Sequence, residues 1–184
     1  MNYIQYYDEV LRKDTCEELI DKFENSPSDY ETHSNDTMNF TQINLNQSKD
    51  WQGYIKPLAS IFNSCISQYR DEFNIVEEMF PKKYGFEEFR LKRYMPNDID
   101  EFKDHVDVRS YSSARRFLVF FLYLDDNKMG HTTFPQMDIS VQPKAGRMLM
   151  FPPMWTHLHA GTKPIEKPKY IIGSYLHYVY TKLL

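Results

Sequence analysis

Glu101-Phe102-Lys103-Asp104-His105-Val106-Asp107-Val108 is the stretch from which the rest of the chain can be read. Side chains of an extended strand alternate between its two faces, so His105 and Asp107 point to the same side. One short strand can therefore offer an imidazole nitrogen and a carboxylate oxygen to a single ion. Taken alone, the triplet is weak evidence and is better read as a polar surface strand. A second histidine from a distant segment would complete a set of two nitrogens and one carboxylate. That set leaves coordination positions open for substrate and O2 and suits Fe(II).

Trp155-Thr156-His157-Leu158-His159-Ala160-Gly161 supplies such a histidine. His159 is the candidate third ligand, because Ala160 and Gly161 remove bulk beside it, as a crowded metal site requires. His157 would share its strand face and is the competing candidate; failing that, its place is beside the ligands or against the substrate. Lys169 opens the last strand, ten residues after His159, and the following Tyr170-Ile171-Ile172-Gly173-Ser174-Tyr175 is almost wholly apolar or aromatic. A cation aimed into such surroundings needs an anion to offset its desolvation. A dicarboxylate would provide one.

The 184 residues suit one domain spanning 1–184, long enough to bury roughly 70% of its unfolded surface. Thirteen Phe and fourteen Tyr allow an aromatic core. A net charge of −4 argues against a broad nucleic-acid surface, which would need a basic excess. Cys16 and Cys65 lack partners at zinc-ligand spacing and read as small apolar residues in a reducing compartment. The N-terminal residues have neither the charged start nor the apolar run of a signal peptide. No apolar stretch reaches the length of a membrane span. A soluble, cytoplasmic protein is expected.

Two regions differ in period. In the first, about 1–83, residues 3–11 read as a short strand. Asp14 and Thr15, each followed three residues later by Glu17 or Glu18, have capping-box spacing, and Cys16, Leu19, Ile20 and Phe23 mark an amphipathic helix ending near Pro27. Residues 26–50 read as loop with a strand at 38–45. Trp51 to Phe73 keeps a helical period, with Pro57 in its early turns. The second region, about 84–180, is strand-like at 86–94, 102–108, 115–124, 139–142, 147–151, 156–160 and 169–180. Helices followed by strands predict a mainly β antiparallel sandwich or barrel braced by N-terminal helices.

From Phe89 to His177 the chain resembles the Fe(II)- and 2-oxoglutarate-dependent dioxygenases of prolyl 4-hydroxylase type. The family's approach to its metal strand is matched by Arg93-Tyr94-Met95-Pro96 and then His105-Val106-Asp107. Its strand end is matched by Tyr123-Leu124-Asp125, and its Gly-Gly-x-Thr-x-Phe-Pro turn by Met129-Gly130-His131-Thr132-Thr133-Phe134-Pro135. Its Pro-x-x-Gly turn is matched by Pro143-Lys144-Ala145-Gly146, and its distal His-Ala-Gly with a basic residue by His159-Ala160-Gly161 and Lys169. Met129, His131 and Phe102 depart from the family pattern, which bears on substrate choice rather than on chemistry. His131 is a candidate polar group at the site mouth, whereas His33 and His177 have no spacing argument.

The resemblance implies a double-stranded β-helix (jelly-roll, cupin-like) core. It implies Fe(II) held by His105, Asp107 and His159. It implies 2-oxoglutarate chelating the iron and meeting Lys169 at its far carboxylate, assisted by Tyr123 and by Tyr94 or Thr132. O2 completes the reaction, succinate and CO2 leave, and ascorbate is a candidate accessory reductant. The implied substrate is a prolyl residue hydroxylated at C4 in a peptide or protein. A free amino acid or other small metabolite is the alternative substrate, to be told apart by whether loops 26–50 and 109–114 form an open groove or seal a small cavity. A non-catalytic jelly-roll binding protein would be expected to have lost a ligand or the basic anchor. A zinc hydrolase would have no use for Lys169, and the acidic balance weighs against a nucleic-acid demethylase.

Overall fold

The computed structural model describes residues 1–180. In chain order these form β1 (Gln5–Tyr7), α1 (Lys13–Glu24), β2 (Glu31–Ser34), β3 (Asn39–Asn44), α2 (Gln52–Glu72), β4 (Tyr84–Phe86), β5 (Arg90–Tyr94), β6 (Phe102–His105), β7 (Arg116–Tyr123), β8 (Thr132–Phe134), β9 (Ile139–Val141), β10 (Met148–Phe151), β11 (His159–Gly161) and β12 (Lys169–Tyr178). One sheet runs β1-β10-β7-β12-β5-β3-β2, with β4 also paired to β12, and a smaller sheet runs β6-β11-β8-β9. Every pairing is antiparallel. This is the expected jelly roll braced by helices.

The alternation of β7, Arg-Phe-Leu-Val-Phe-Phe-Leu-Tyr, explains the layering. Leu118, Phe120 and Leu122 enter one core with Cys16, Leu19 and Phe23 of α1 and Leu58, Phe62 and Ile66 of α2. Val119 and Tyr123 enter the other, between the sheets, with Phe134, Leu149 and Phe151. Strand β10 divides likewise, Met148 and Met150 outward to the helices, Leu149 and Phe151 inward. Phe62 of α2 stacks on Phe120 with centroids 5.1 Å apart. The same parity turns Arg93 of β5 toward α1, where it meets Glu24 at 2.7 Å. Lys92 and Tyr94 are thereby left on the inner face. The large sheet thus has a purely structural side and a side available for chemistry.

Several local expectations are corrected. Helix α1 begins at Lys13 behind Arg12, which makes no side-chain cap bond. Asp14 lies inside the first turn and accepts from the Thr15 N–H instead, so no capping box forms. The expected strand at 3–11 shrinks to β1. Within 26–50 the strand expected at 38–45 forms as β3, but β2, which was not expected, pairs with it in a hairpin that extends the large sheet. Its outer strand, Glu31-Thr32-His33-Ser34, has no apolar alternation to betray it, since it is an edge strand with mostly exposed side chains. The 86–94 stretch divides into β4 and β5, and β8 forms within what the sequence suggests is only a turn. The proposed strand at 156–160 forms only at 159–161. The domain was expected to reach Leu184; residues 181–184 lie outside the described residues.

Gly146 ties the N-terminal segment to the barrel. Its N–H donates to Tyr123 O at 3.0 Å, its carbonyl accepts from Val10 N–H at 3.0 Å, and its φ is +76°. A Cβ there would overlap the Leu11 carbonyl oxygen. Gly146→Ala is expected to cost at least about 2 kcal/mol through positive φ and this backbone clash, measurable as a lowered urea midpoint. A variant as stable as the parent would show that the N-terminal segment is not held there.

Candidate active site

His105, the last residue of β6, and His159, the first of β11, are direct partners in the antiparallel register. Opposed residues in such a pair place their side chains on one face, and the two rings lie with centroids 4.3 Å apart. Asp107 follows two residues after β6 ends. The N–H groups of Asp107 and Val108 both donate to Pro153 O at 3.1 Å, which fastens this bend to the segment leading into β11. Asp107 Oδ1 then lies 3.7 Å from His105 Nε2, and Oδ2 lies 3.5 Å from His159 Nε2. One ligand atom from each of the three residues falls within 4.8 Å of the others.

The remaining bonds define what these atoms present. His105 Nδ1 is 2.7 Å from Lys103 O, and His159 Nδ1 is 2.9 Å from His157 O. A carbonyl only accepts, so each Nδ1 carries the ring proton and each Nε2 offers a lone pair. Tyr175 donates its hydroxyl to Asp107 Oδ1 at 2.7 Å. Asp107 Oδ2 and His159 Nε2 are buried and have no hydrogen-bond partner among the described residues. Two acceptors facing one another across 3.5 Å repel unless a cation lies between them. Burial opposes charge on Asp107, yet the adjacent His105 and His159 and the Tyr175 hydroxyl hold its carboxyl at about 2. Burial pushes the His159 imidazole down to about 4. At neutral pH these two groups are therefore a carboxylate and a neutral imidazole, the states that ligate metal. The residues fit a divalent ion, and two nitrogens with one oxygen fit Fe(II).

Walls of the same cavity carry Tyr94, Thr132 and Lys169. Lys169 and Tyr94 are register partners on β12 and β5, and the Lys169 ammonium lies 4.4 Å from the Tyr94 ring centre. That ammonium donates to Gly130 O at 2.9 Å and to Thr162 O at 3.4 Å, both neutral acceptors. Its side chain is 1% exposed, and burial pulls its pKa down to about 7, with Asp125 acting against the shift and Lys92 adding to it. Tyr123 is 2.6 Å from Thr132 Oγ1 through its hydroxyl, so it meets the cavity through Thr132. His105, Asp107, His159, Lys169, Tyr94 and Thr132 thus line one cavity, with Tyr123 behind Thr132.

Other expectations fail. His157 does not share a strand face with His159, because residues 154–156 form a turn and β11 starts only at His159. Its ring is 2.7 Å from Asn2 O, and its tie to the centre is the backbone carbonyl that holds His159. His131 is engaged by Ser140 Oγ at 2.8 Å and Lys128 O at 3.0 Å, away from the three ligand candidates. His177 meets Tyr178 O. His33 packs on Phe40 in a neighbouring cavity. Tyr175 was missed, although stepping by two from Lys169 through Ile171 and Gly173 reaches it on the inner face. Phe102, noted only as a departure, stacks on His105 at 3.4 Å between centroids and 8° between planes.

Residues 89–177 match the 2OG-Fe(II) oxygenase superfamily. Through these residues, just under half of its length, the chain carries a domain of that superfamily's type. It is a 2-oxoglutarate-dependent dioxygenase, as the resemblance implied, and Fe(II) and 2-oxoglutarate are the family's cofactor and cosubstrate. No curated protein sequence matches the chain. Among solved structures, a viral collagen prolyl hydroxylase from Paramecium Bursaria Chlorella virus-1, in complex with 2OG, superposes with a TM-score of 0.74 at 18% identity, covering 97% of each chain. A Trichoplax adhaerens prolyl hydroxylase in complex with a hypoxia inducible factor peptide fragment gives 0.74 at 14% identity, covering 96% of this chain and 84% of that one. A Pseudomonas putida prolyl-4-hydroxylase gives 0.68 at 14% identity, over 98% and 95%. These proteins share the fold. Among the described residues no helix is long and apolar enough to cross a membrane.

Calorimetric titration with Zn(II), a redox-inert ion that such a site cannot reject by affinity alone, is expected to show one ion per chain. His105→Ala, Asp107→Ala and His159→Ala should each weaken it by about a hundredfold or more, beyond the 10–100-fold typical of outer groups. His157→Ala should stay within about tenfold. Loss in His157→Ala with retention in His159→Ala would reverse the assignment.

Proposed function

We propose that this oxygenase hydroxylates a prolyl residue at C4 within a peptide or protein, with His105, Asp107 and His159 holding Fe(II) and Lys169 receiving the far carboxylate of 2-oxoglutarate. The observation that carries the reading is that three convergent ligand atoms and a buried lysine line one cavity. When bound, the iron and cosubstrate supply an oxidant able to break an unactivated C–H bond, with succinate and CO2 as co-products and ascorbate as accessory reductant. The chain's own contribution is positional. Lys103 O and His157 O fix the imidazole tautomers, and the Tyr175 hydroxyl orients Asp107 Oδ1 so that Oδ2 faces inward. Phe102, Phe134 and Phe151 wall the histidines from water. Thr132, backed by Tyr123, offers a hydroxyl beside Lys169.

A peptide substrate is supported by the surface around the ligands. Tyr111 and Trp155 are 100% and 79% exposed, and they lie on the segments that follow Asp107 and precede His159. Exposed aromatic side chains on these two segments suit an extended partner. The named activities of the structural neighbours point the same way. The reading includes a cytoplasmic setting, for which the two free, buried cysteines are consistent.

The test is mass spectrometry of proline-containing peptides and of free proline incubated with the protein, Fe(II), 2-oxoglutarate and O2. One added oxygen on a peptide proline, identified as 4-hydroxyproline, is expected. Oxidation of free proline with every peptide inert would overturn the peptide reading. Lys169→Ala would leave the cosubstrate carboxylate buried and unpaired, at a cost of about 3–5 kcal/mol, or roughly 10²–10³-fold or more in affinity. Lys169→Arg should be milder, since charge is kept while donor geometry changes. Unchanged 2-oxoglutarate affinity in Lys169→Ala would remove Lys169 from the site.

A further inference from the structure

The inner face of the large sheet carries a second cation that the cosubstrate does not require. Strand parity places Lys92 on the same side of β5 as Tyr94, opposite Ile171 of β12. Lys92 lines the cavity of the three ligand candidates and also a neighbouring cavity bounded by Arg90, Arg116, Gln42 and Ser174. The two cavities share Lys92, Phe121 and Tyr175. No carboxylate residue lines the second cavity. The two arginines there are already satisfied: Arg90 meets Glu88 at 2.6 Å, and Arg116 meets Glu87 at 2.9 Å and lies 4.0 Å over the Tyr175 ring.

Lys92 differs from both. Among the described residues its ammonium has no hydrogen-bond or ion-pair partner, only the ring faces of Phe40 at 4.6 Å and Phe102 at 5.9 Å. Ring faces attract a cation but accept little of its hydrogen-bonding capacity, so this half-buried ammonium keeps donors free for an anion. Lys92 also stands apart from Lys169 in its neighbours. Its ring contact Phe102 stacks on His105, whereas the Lys169 ammonium lies over Tyr94 and donates to Gly130 O and Thr162 O. Lys92 is therefore the cation adjoining the His105 side of the cavity, where a C–H bond to be oxidised must lie.

We infer that Lys92 is a specificity-determining residue that pairs with a carboxylate side chain of the peptide substrate, so that the preferred target is a proline with an acidic residue close to it. The inference rests on the peptide-hydroxylase reading above. Both anions, the cosubstrate's far carboxylate and the substrate's side chain, then meet one lysine each, with Phe40 and Phe102 flanking the Lys92 pair.

The experiment uses proline peptides carrying one aspartate at successive positions on either side of the proline, each matched by its asparagine isostere, with free proline as a third arm. Binding is measured calorimetrically on the Fe(II)- and 2-oxoglutarate-loaded protein without O2, and kcat and KM are measured with O2. At one position aspartate should exceed asparagine by about tenfold to a hundredfold in affinity and have a KM lower by a similar factor, the worth of a charge-assisted hydrogen bond. Lys92→Met should abolish that preference and Lys92→Arg should restore most of it, while 2-oxoglutarate affinity stays within about twofold in both. Peptides hydroxylated without regard to aspartate would sink the Lys92 inference and leave the peptide reading standing. A Lys92-dependent preference seen in binding, with no proline oxidised, would keep the acidic subsite and sink the prolyl reading. Lys92-dependent use of free proline alone would move the anion to an α-carboxylate and overturn the side-chain assignment. A large loss of 2-oxoglutarate affinity in Lys92→Met would assign Lys92 to the cosubstrate instead.

Discussion

His159 Nε2 and Asp107 Oδ2 face one another at 3.5 Å with no donor between them. Both are buried acceptors, and such an arrangement is unfavourable unless a cation completes it. The architecture around them reads as the means of enforcing that opposition. Register pairing of β6 with β11 sets the two histidines side by side, and the Pro153 carbonyl clamps the bend that carries Asp107. Backbone carbonyls rather than mobile side chains fix both imidazole tautomers. The site is thus preorganised by main-chain geometry, which is less costly to keep in place than a set of freely rotating groups.

That geometry depends on the division of labour in the large sheet. Its outer face is filled by α1 and α2 with ordinary apolar packing, so stability does not compete with function on the same surface. The inner face can then tolerate Lys92, Lys169 and Tyr175 among aromatic side chains. Buried lysines weaken a fold when unpaired, and Lys169 is only partly compensated, by two carbonyl oxygens and a nearby Asp125. A dicarboxylate beside Lys169 would supply the missing charge, which links cosubstrate binding to relief of a cost already present in the fold.

Much of this was legible in the chain itself. His105, Asp107, His159 and Lys169 could be picked out because strand alternation and the small residues after His159 are local properties, and the structure brings the four to one cavity. The layering was legible for the same reason, since β7 and β10 sort their side chains by parity. What escaped reading was set by tertiary context. Strand β2 is polar and pairs only through its backbone. His157 looked equivalent to His159 until a turn at 154–156 removed it from the strand. Lys92 looked like any strand lysine, because nothing local distinguishes a cation aimed into the barrel from one aimed at solvent.

The central claim is that iron and 2-oxoglutarate bind together in one cavity, chelated at the triad and anchored at Lys169. The most direct measurement is the visible absorbance of the protein under argon as 2-oxoglutarate is added with Fe(II) present, because a keto acid chelated to ferrous iron produces a metal-to-ligand charge-transfer band. The account predicts a saturable band in the parent protein, none in Asp107→Ala, and one requiring far more 2-oxoglutarate in Lys169→Ala. A parent protein that binds both Fe(II) and 2-oxoglutarate yet develops no band would contradict it, since the two would then occupy separate sites.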